Sequence, residues 1–311
     1  MIMPEFNPVN RLNYLVELKV KPGFDDEFAD KVKEADPILV FNHQAHADGL
    51  LAAVVVGHLL ETAKRIKREH PLKGFVMPAA RSLINGRQSR LLQMFYIPFN
   101  LLMSKKGLIT LPYTREKDKL VYGMSGETHH DEIKTIRKYL HHGYGMAVFP
   151  EGSVQGGRHP KGCAPEEIYG MQEVKGNEII NSYRLMRQES TREIFYVVCG
   201  LHGGFRLQNP NIKSLSPTKE GLATFFGIPG RFVPHVRAEA SLGAIITEKS
   251  IAQTFGRDWP DGGKGQNGSD GRDQKVLGGI NRFIMDEVAL LVPSRARGFY
   301  AIKLQDPLGV S

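Results

Sequence analysis

The sequence predicts an α/β fold: a mixed, mostly parallel central sheet covered by helices on both faces. Three observations predict it. Short apolar runs that read as buried strands alternate with longer segments whose apolar residues recur at helical spacing. That alternation is of the βα kind that builds parallel sheets between two helix layers. No internal repeat divides the 311 residues, and 41 % apolar with 24 % charged residues is ordinary for a globular chain able to bury a sizeable core.

In chain order, no element is assigned before residue 36. ILVF (38–41) reads as a short buried strand and DGLLAAVVVGHLLETAKRIKRE (48–69) as a helix with an apolar start and a charged end. GFVMPAA (74–80) and GLITLPY (107–113) read as strands. HHDEIKTIRKYLHHG (129–143) carries Ile133, Ile136, Tyr139 and Leu140 at helical spacing, with Gly143 as a stop. GMAVFPEG (145–152) is a strand ending in a turn, 173–190 a helix, and EIFYVVCGL (193–201) a strand. Beyond residue 205 the pattern weakens. Residues 231–249 have room for two strands, the Gly- and Asp-rich stretch 256–275 reads as a mobile loop, and 276–292 as a final amphipathic helix.

Composition narrows the function. The net charge of +8 points to an anionic partner: a nucleic acid, a phosphorylated small molecule or a lipid surface. No helix-turn-helix, zinc-finger or ribonucleoprotein signature and no aromatic–basic interleaving supports nucleic acid. Cys163 and Cys199 make neither a disulfide framework nor a zinc site. With no signal-peptide pattern and no apolar run of spanning length, the expected location is the cytoplasm.

The chemistry concentrates in PILVFNHQAHADGLLAAVVV (37–56), where His43, His46 and Asp48 stand between a strand and a helix. A lone His-x4-Asp spacing also arises by chance, and Asp48 could serve as a helix N-cap with His43 a plain loop residue. The catalytic reading uses the same geometry. A carboxylate beside His43 fixes the imidazole tautomer, and the second ring nitrogen is then free to take a proton from a hydroxyl. A metal reading with His43, His46 and Asp48 as ligands also stands, but Gln44 and Gly49 occupy positions where the similar HxHxDH pattern needs histidine. A second feature, GMAVFPEGS (145–153), runs an apolar strand into Pro-Glu-Gly. A turn there can bring backbone amides to a ligand while Glu151 accepts hydrogen bonds from hydroxyls; a routine strand-to-loop turn with an exposed glutamate is the plain alternative.

NHQAHAD followed about a hundred residues later by FPEGS resembles the glycerolipid acyltransferases, the glycerol-3-phosphate and lysophosphatidic acid acyltransferases. Between the two blocks, KKGLITLPYTRE matches the family's Gly–apolar–Arg block through Gly107 and Arg115, and VKGNEII (174–180) fits a Lys-Gly element loosely. The resemblance covers residues 36–205. Two departures bear on the acceptor: Val154 stands where a charged residue is usual, with Arg158 further on, and Cys199 stands near an expected proline.

The resemblance implies one acyltransferase domain over residues 1–311, with its motifs in 36–205 and a C-terminal extension at 206–311. It implies acyl transfer from acyl-CoA or acyl carrier protein, as co-substrate and with no cofactor, to a hydroxyl of a glycerol-phosphate or lysophospholipid acceptor. His43 is the expected general base and Asp48 its orienting partner. Arg115 is expected on the acceptor's phosphate, and Glu151, Gly152 and Ser153 on its hydroxyls. The runner-up is a metal-dependent hydrolase using His43, His46 and Asp48. LLQMFYIPFNLLM (91–103), flanked by Arg87, Arg90, Lys105 and Lys106, reads either as a segment at a membrane surface or as a buried helix kinked at Pro98.

Overall fold

Two strands define the centre of the molecule because their side chains are apolar on both sides. In β2 (Ala35–Phe41), Leu39 and Phe41 enter one hydrophobic layer, Ile38 and Val40 the other. In β6 (Glu193–His202), Phe195, Val197, Cys199 and Leu201 oppose Ile194, Tyr196 and Val198. Successive side chains point to opposite faces of a strand, so both faces of such a sheet need a helix layer. A computed structural model of the chain describes residues 15–45, 47–66, 71–80, 90–114, 126–151, 170–174, 176–208, 238–255 and 271–301.

Five further strands join these two: β1 (Val16–Val20), β3 (Gly74–Ala80), β4 (Leu108–Tyr113), β5 (Tyr144–Val148) and β7 (Ala238–Thr247). The order across the sheet is β1-β7-β6-β2-β5-β3-β4. All neighbours are parallel except β6 and β7, so β7 and β1 run against the rest. The α/β class with a mostly parallel sheet is therefore the observed one.

The helices sort by face. Packed on one side are α1 (Phe24–Glu34), α2 (Asp48–Lys64) and α3 (Arg90–Lys105). On the other lie α4 (Gly126–His141), α5 (Glu178–Glu189) and α8 (Gly271–Leu290). Two short helices, α6 (Gly204–Gln208) and α7 (Glu248–Phe255), follow β6 and β7. α1 shows why these segments are helical: Phe24, Phe28 and Val32 recur at i, i+4, i+8 and are buried, its first turn is acidic, and Lys31 and Lys33 sit in its last. Burying each such phenylalanine contributes about 1.5–3 kcal/mol.

This sorting positions the site. β2 and β5 are neighbours, yet β2 feeds α2 on one face and the next described helix after β5, α5, lies on the other. Chains that leave adjacent strand ends towards opposite faces part at the carboxyl edge, and open α/β sheets bind their ligands in that crevice.

Several boundaries differ from the sequence reading. α2 ends at Lys64 rather than running to 69, β5 stops at Val148 before the Pro-Glu turn, and α5 starts only at Glu178. Of the stretch with room for two strands, residues 231–237 lie outside the described residues and 238–247 form one long strand, followed directly by α7. Of the expected loop 256–275, residues 256–270 lie outside the described residues, and 271–275 are already helical. α3 continues through Pro98. In this helix Phe99, Leu102 and Met103 are buried while Ile97 and Leu101 are 73 % and 57 % exposed. No described helix is long and apolar enough to cross a membrane.

Candidate active site

The site begins where β2 runs out. Asn42 is fully buried and extends the pairing of β2 with β6 through its side chain: Nδ2 donates to the Leu201 carbonyl (2.8 Å), and the Leu201 amide donates to Oδ1 (2.6 Å). One side chain thus completes both backbone groups of Leu201, which burial would otherwise leave unpaired. The chain turns immediately after it, and His43 leaves the sheet edge.

Asp48 holds that turn together from inside. Its Oδ2 accepts the amides of Gln44 (2.5 Å) and Ala45 (2.7 Å) and lies 3.2 Å from His43 Nδ1. Asp48 is therefore not an N-cap: Ala47 occupies that position, and the carboxylate reaches back to amides upstream of the helix instead of forward to those within it. With an acceptor carboxylate against Nδ1, the tautomer that can bond carries its proton there, which leaves Nε2 as an acceptor. The Asp48 side chain is wholly buried, whereas that of His43 is 17 % exposed. The imidazole also rests on Phe149, with ring centroids 4.8 Å apart, and Phe149 rests on Phe41 at 5.3 Å.

The other carboxylate oxygen, Asp48 Oδ1, is buried without a hydrogen-bond partner. It lies against the backbone of Gly204, where an added Cβ would overlap it. Gly204 thus admits Asp48, a dependence between residues 156 apart in the chain that no local motif signals.

Glu151 comes to the same place from β5. The pairing of Val40 with Val148 brings the segments after both strands side by side. Glu151 Oε1 accepts the His43 amide (3.3 Å) and Oε2 accepts the Gln172 amide (3.0 Å). Both oxygens expected to meet acceptor hydroxyls are thus already engaged in bracing two loops. The residue keeps some outer surface open, but its carboxyl is enclosed. Burial pushes it up to about 8, against the two amides, with the nearby Asp48 charge adding to the rise. Near neutral pH it holds its proton and is able to donate a hydrogen bond.

Arg115, Gly152 and Ser153 lie outside the described residues, as does His46. What is visible is the chain delivered to Arg115: at the end of β4, the buried Thr114 donates its amide (2.7 Å) and hydroxyl (3.0 Å) to the two oxygens of Glu132, a buried carboxylate on α4. Among the described residues, no group of three or more His, Cys, Asp or Glu is placed to hold a metal ion. His43, Asp48 and Glu151 are brought together; Asn42, Phe149, Gln172 and Gly204 support them without having been singled out as site residues. Asn42 and Phe149 adjoin the motif residues and were within reach of a sequence reading. No family model matches the chain, and no curated protein matches it.

Proposed function

We propose that the protein is an O-acyltransferase, moving a fatty acyl group from acyl-CoA or acyl carrier protein to a hydroxyl of a glycerol-phosphate or lysophospholipid acceptor. The observation that carries this reading is the fixed His43–Asp48 pair at the carboxyl edge of β2, with Nδ1 turned inward and Nε2 left as the acceptor. The resemblance of the NHQAHAD and FPEGS blocks to the glycerolipid acyltransferases supplies the substrate class.

In this reading His43 Nε2 removes the proton from the acceptor hydroxyl as its oxygen attacks the thioester carbonyl. The tetrahedral intermediate collapses, the carbon–sulfur bond breaks, and the proton leaves with the thiol. Asp48 keeps the imidazole in place and stabilises the imidazolium formed. General-base help of this kind is worth about 10²–10⁴-fold in rate. Glu151 braces the His43 amide on the acceptor side of the pocket, and the Gly152–Ser153 turn that follows it in the chain orients the acceptor's hydroxyls. Arg115 takes the acceptor's phosphate, a contact a guanidinium makes in two prongs.

The exposed Ile97 and Leu101, one turn apart on α3 and followed by exposed Ser104 and Lys105, support a membrane surface as the place where the acceptor is met, on the cytoplasmic side. The testing experiment measures thiol release with acyl-CoA and acyl carrier protein donors over a panel of glycerol-phosphate and lysolipid acceptors. Acceptor-dependent release supports the reading. Release without an acceptor, abolished by chelation and accompanied by bound metal, would favour the hydrolase with His43, His46 and Asp48.

A further inference from the structure

Residues 170–174 and Gly176 are gripped by residues from the far end of the chain. The Met171 amide donates to the Ala296 carbonyl (3.1 Å), and the Phe299 amide donates to the Met171 carbonyl (3.0 Å). The Val174 amide donates to the buried Tyr300 hydroxyl (3.4 Å), and Asn281 Nδ2 donates to the Gly176 carbonyl (3.0 Å). The gripping turn is itself held by α8: the Arg282 guanidinium lies 4.4 Å from the Tyr300 ring centroid and 4.9 Å from that of Phe299, and bonds Asp286 (3.0 Å). The approach is close enough to require glycine at position 298, where φ is 51° and a Cβ would overlap the Met171 backbone.

One backbone donor in this segment is turned the other way. Both polar groups of Met171 face the tail. The Gln172 amide instead reaches Glu151 Oε2, whose other oxygen accepts the His43 amide. Hydrogen bonds thus tie the tail to Met171, and, one peptide bond further on, Gln172 to Glu151 and Glu151 to His43. The Tyr300 hydroxyl lies near enough to feel Glu151: burial pushes it up to about 12, and the Glu151 charge adds to this.

We propose that the C-terminal turn Ser294–Tyr300 is a positioning device for the active site, holding Met171 so that the Gln172 amide fixes Glu151 against His43. Gly298 and Tyr300 are its positioning residues, and neither touches substrate. The inference rests on the functional reading above only for the effect on turnover; the clamp itself has an independent readout.

The test combines amide hydrogen exchange of the full chain with thiol release from acyl-CoA, for wild type, Gly298→Ala, Tyr300→Phe, Glu151→Gln and the Gly298→Ala/Glu151→Gln double variant. The clamp predicts exchange at Gln172 and His43 about tenfold faster in the first two variants, with the amides of β2 and β6 unaltered. It also predicts a fall in kcat at unchanged donor KM, and a double variant no worse than its poorer single parent, because both changes act through one carboxyl. If Gly298→Ala does not fold, Tyr300→Phe, which removes only the acceptor for Val174, carries the test. Unchanged protection at Gln172 and His43, protection lost equally across the sheet, or rate losses that multiply would each overturn the clamp. A wild-type chain that releases no thiol sinks the acyl-transfer reading instead, and exchange alone then decides the clamp.

Discussion

Asp48 is bound on both sides: one of its oxygens ties two backbone amides and one imidazole, and the other is buried against glycine. Asp48→Asn offers a donor where an acceptor is needed and no longer holds His43 in the tautomer with Nε2 free. We expect kcat to fall about 100-fold or more with substrate KM little changed; steady-state kinetics check this, and equal turnover removes Asp48 from the mechanism. Glu151 makes a different prediction. Its proton is held up to about pH 8 in the folded chain but is lost near 4.5 when unfolded. Between those values the folded state binds the extra proton, so stability from this group is complete below the window and is lost as pH rises through it. Glu151→Gln should flatten that part of the profile, removing a pH-dependent fall of roughly a few kcal/mol. Chemical denaturation from pH 5 to 8 measures it, and superimposable profiles contradict it. His43, Asp48 and Glu151 were legible in the sequence because each lies in a short motif at a strand end. Gly204 and Gln172 were not, because they meet the site only through folding.

At the scale of elements, strands buried on both faces announced themselves, since ILVF and IFYVV have no polar side to confuse the reading. β1 escaped because VELKV is an edge strand with alternate residues exposed, one of them Lys19, which bonds Glu239 on β7 (2.7 Å). The start of α8 escaped because GRDQK carries no apolar period. α1 need not have been missed, since Phe24, Phe28 and Val32 stand at helical spacing. The β2–β6 junction depends on Asn42, and Asn42→Ala leaves both polar groups of Leu201 unpaired. We expect a loss of about 2–4 kcal/mol, read from denaturant midpoints. A loss under about 0.5 kcal/mol would match an ordinary surface change and refute this role. On α3, Ile97→Glu with Leu101→Glu should reduce flotation with anionic vesicles at least several-fold while turnover of a water-soluble acceptor persists. Undiminished flotation would make the exposed pair incidental.

At the scale of the whole molecule, the neighbouring strands β2 and β5 are followed by described helices on opposite faces of the sheet, and this makes their junction a place for chemistry before any side chain is considered. The sequence located that junction through its two motifs but not what encloses it, because the C-terminal turn reaches it through backbone bonds that leave no residue pattern. His58 on α2 illustrates the same point: it pairs with Asp25 on α1 (2.8 Å), a tether between consecutive helices that no local motif signals. The central claim is that the His43 imidazole, oriented by Asp48, is the base that activates the acceptor hydroxyl. Acceptor-dependent thiol release by His43→Ala, compared with wild type at matched thermal stability, tests it most directly. The account predicts that the variant keeps its fold and its affinity for the thioester while turnover drops by about 10²–10⁴-fold; a folded His43→Ala protein that turns over within twofold of wild type would contradict it.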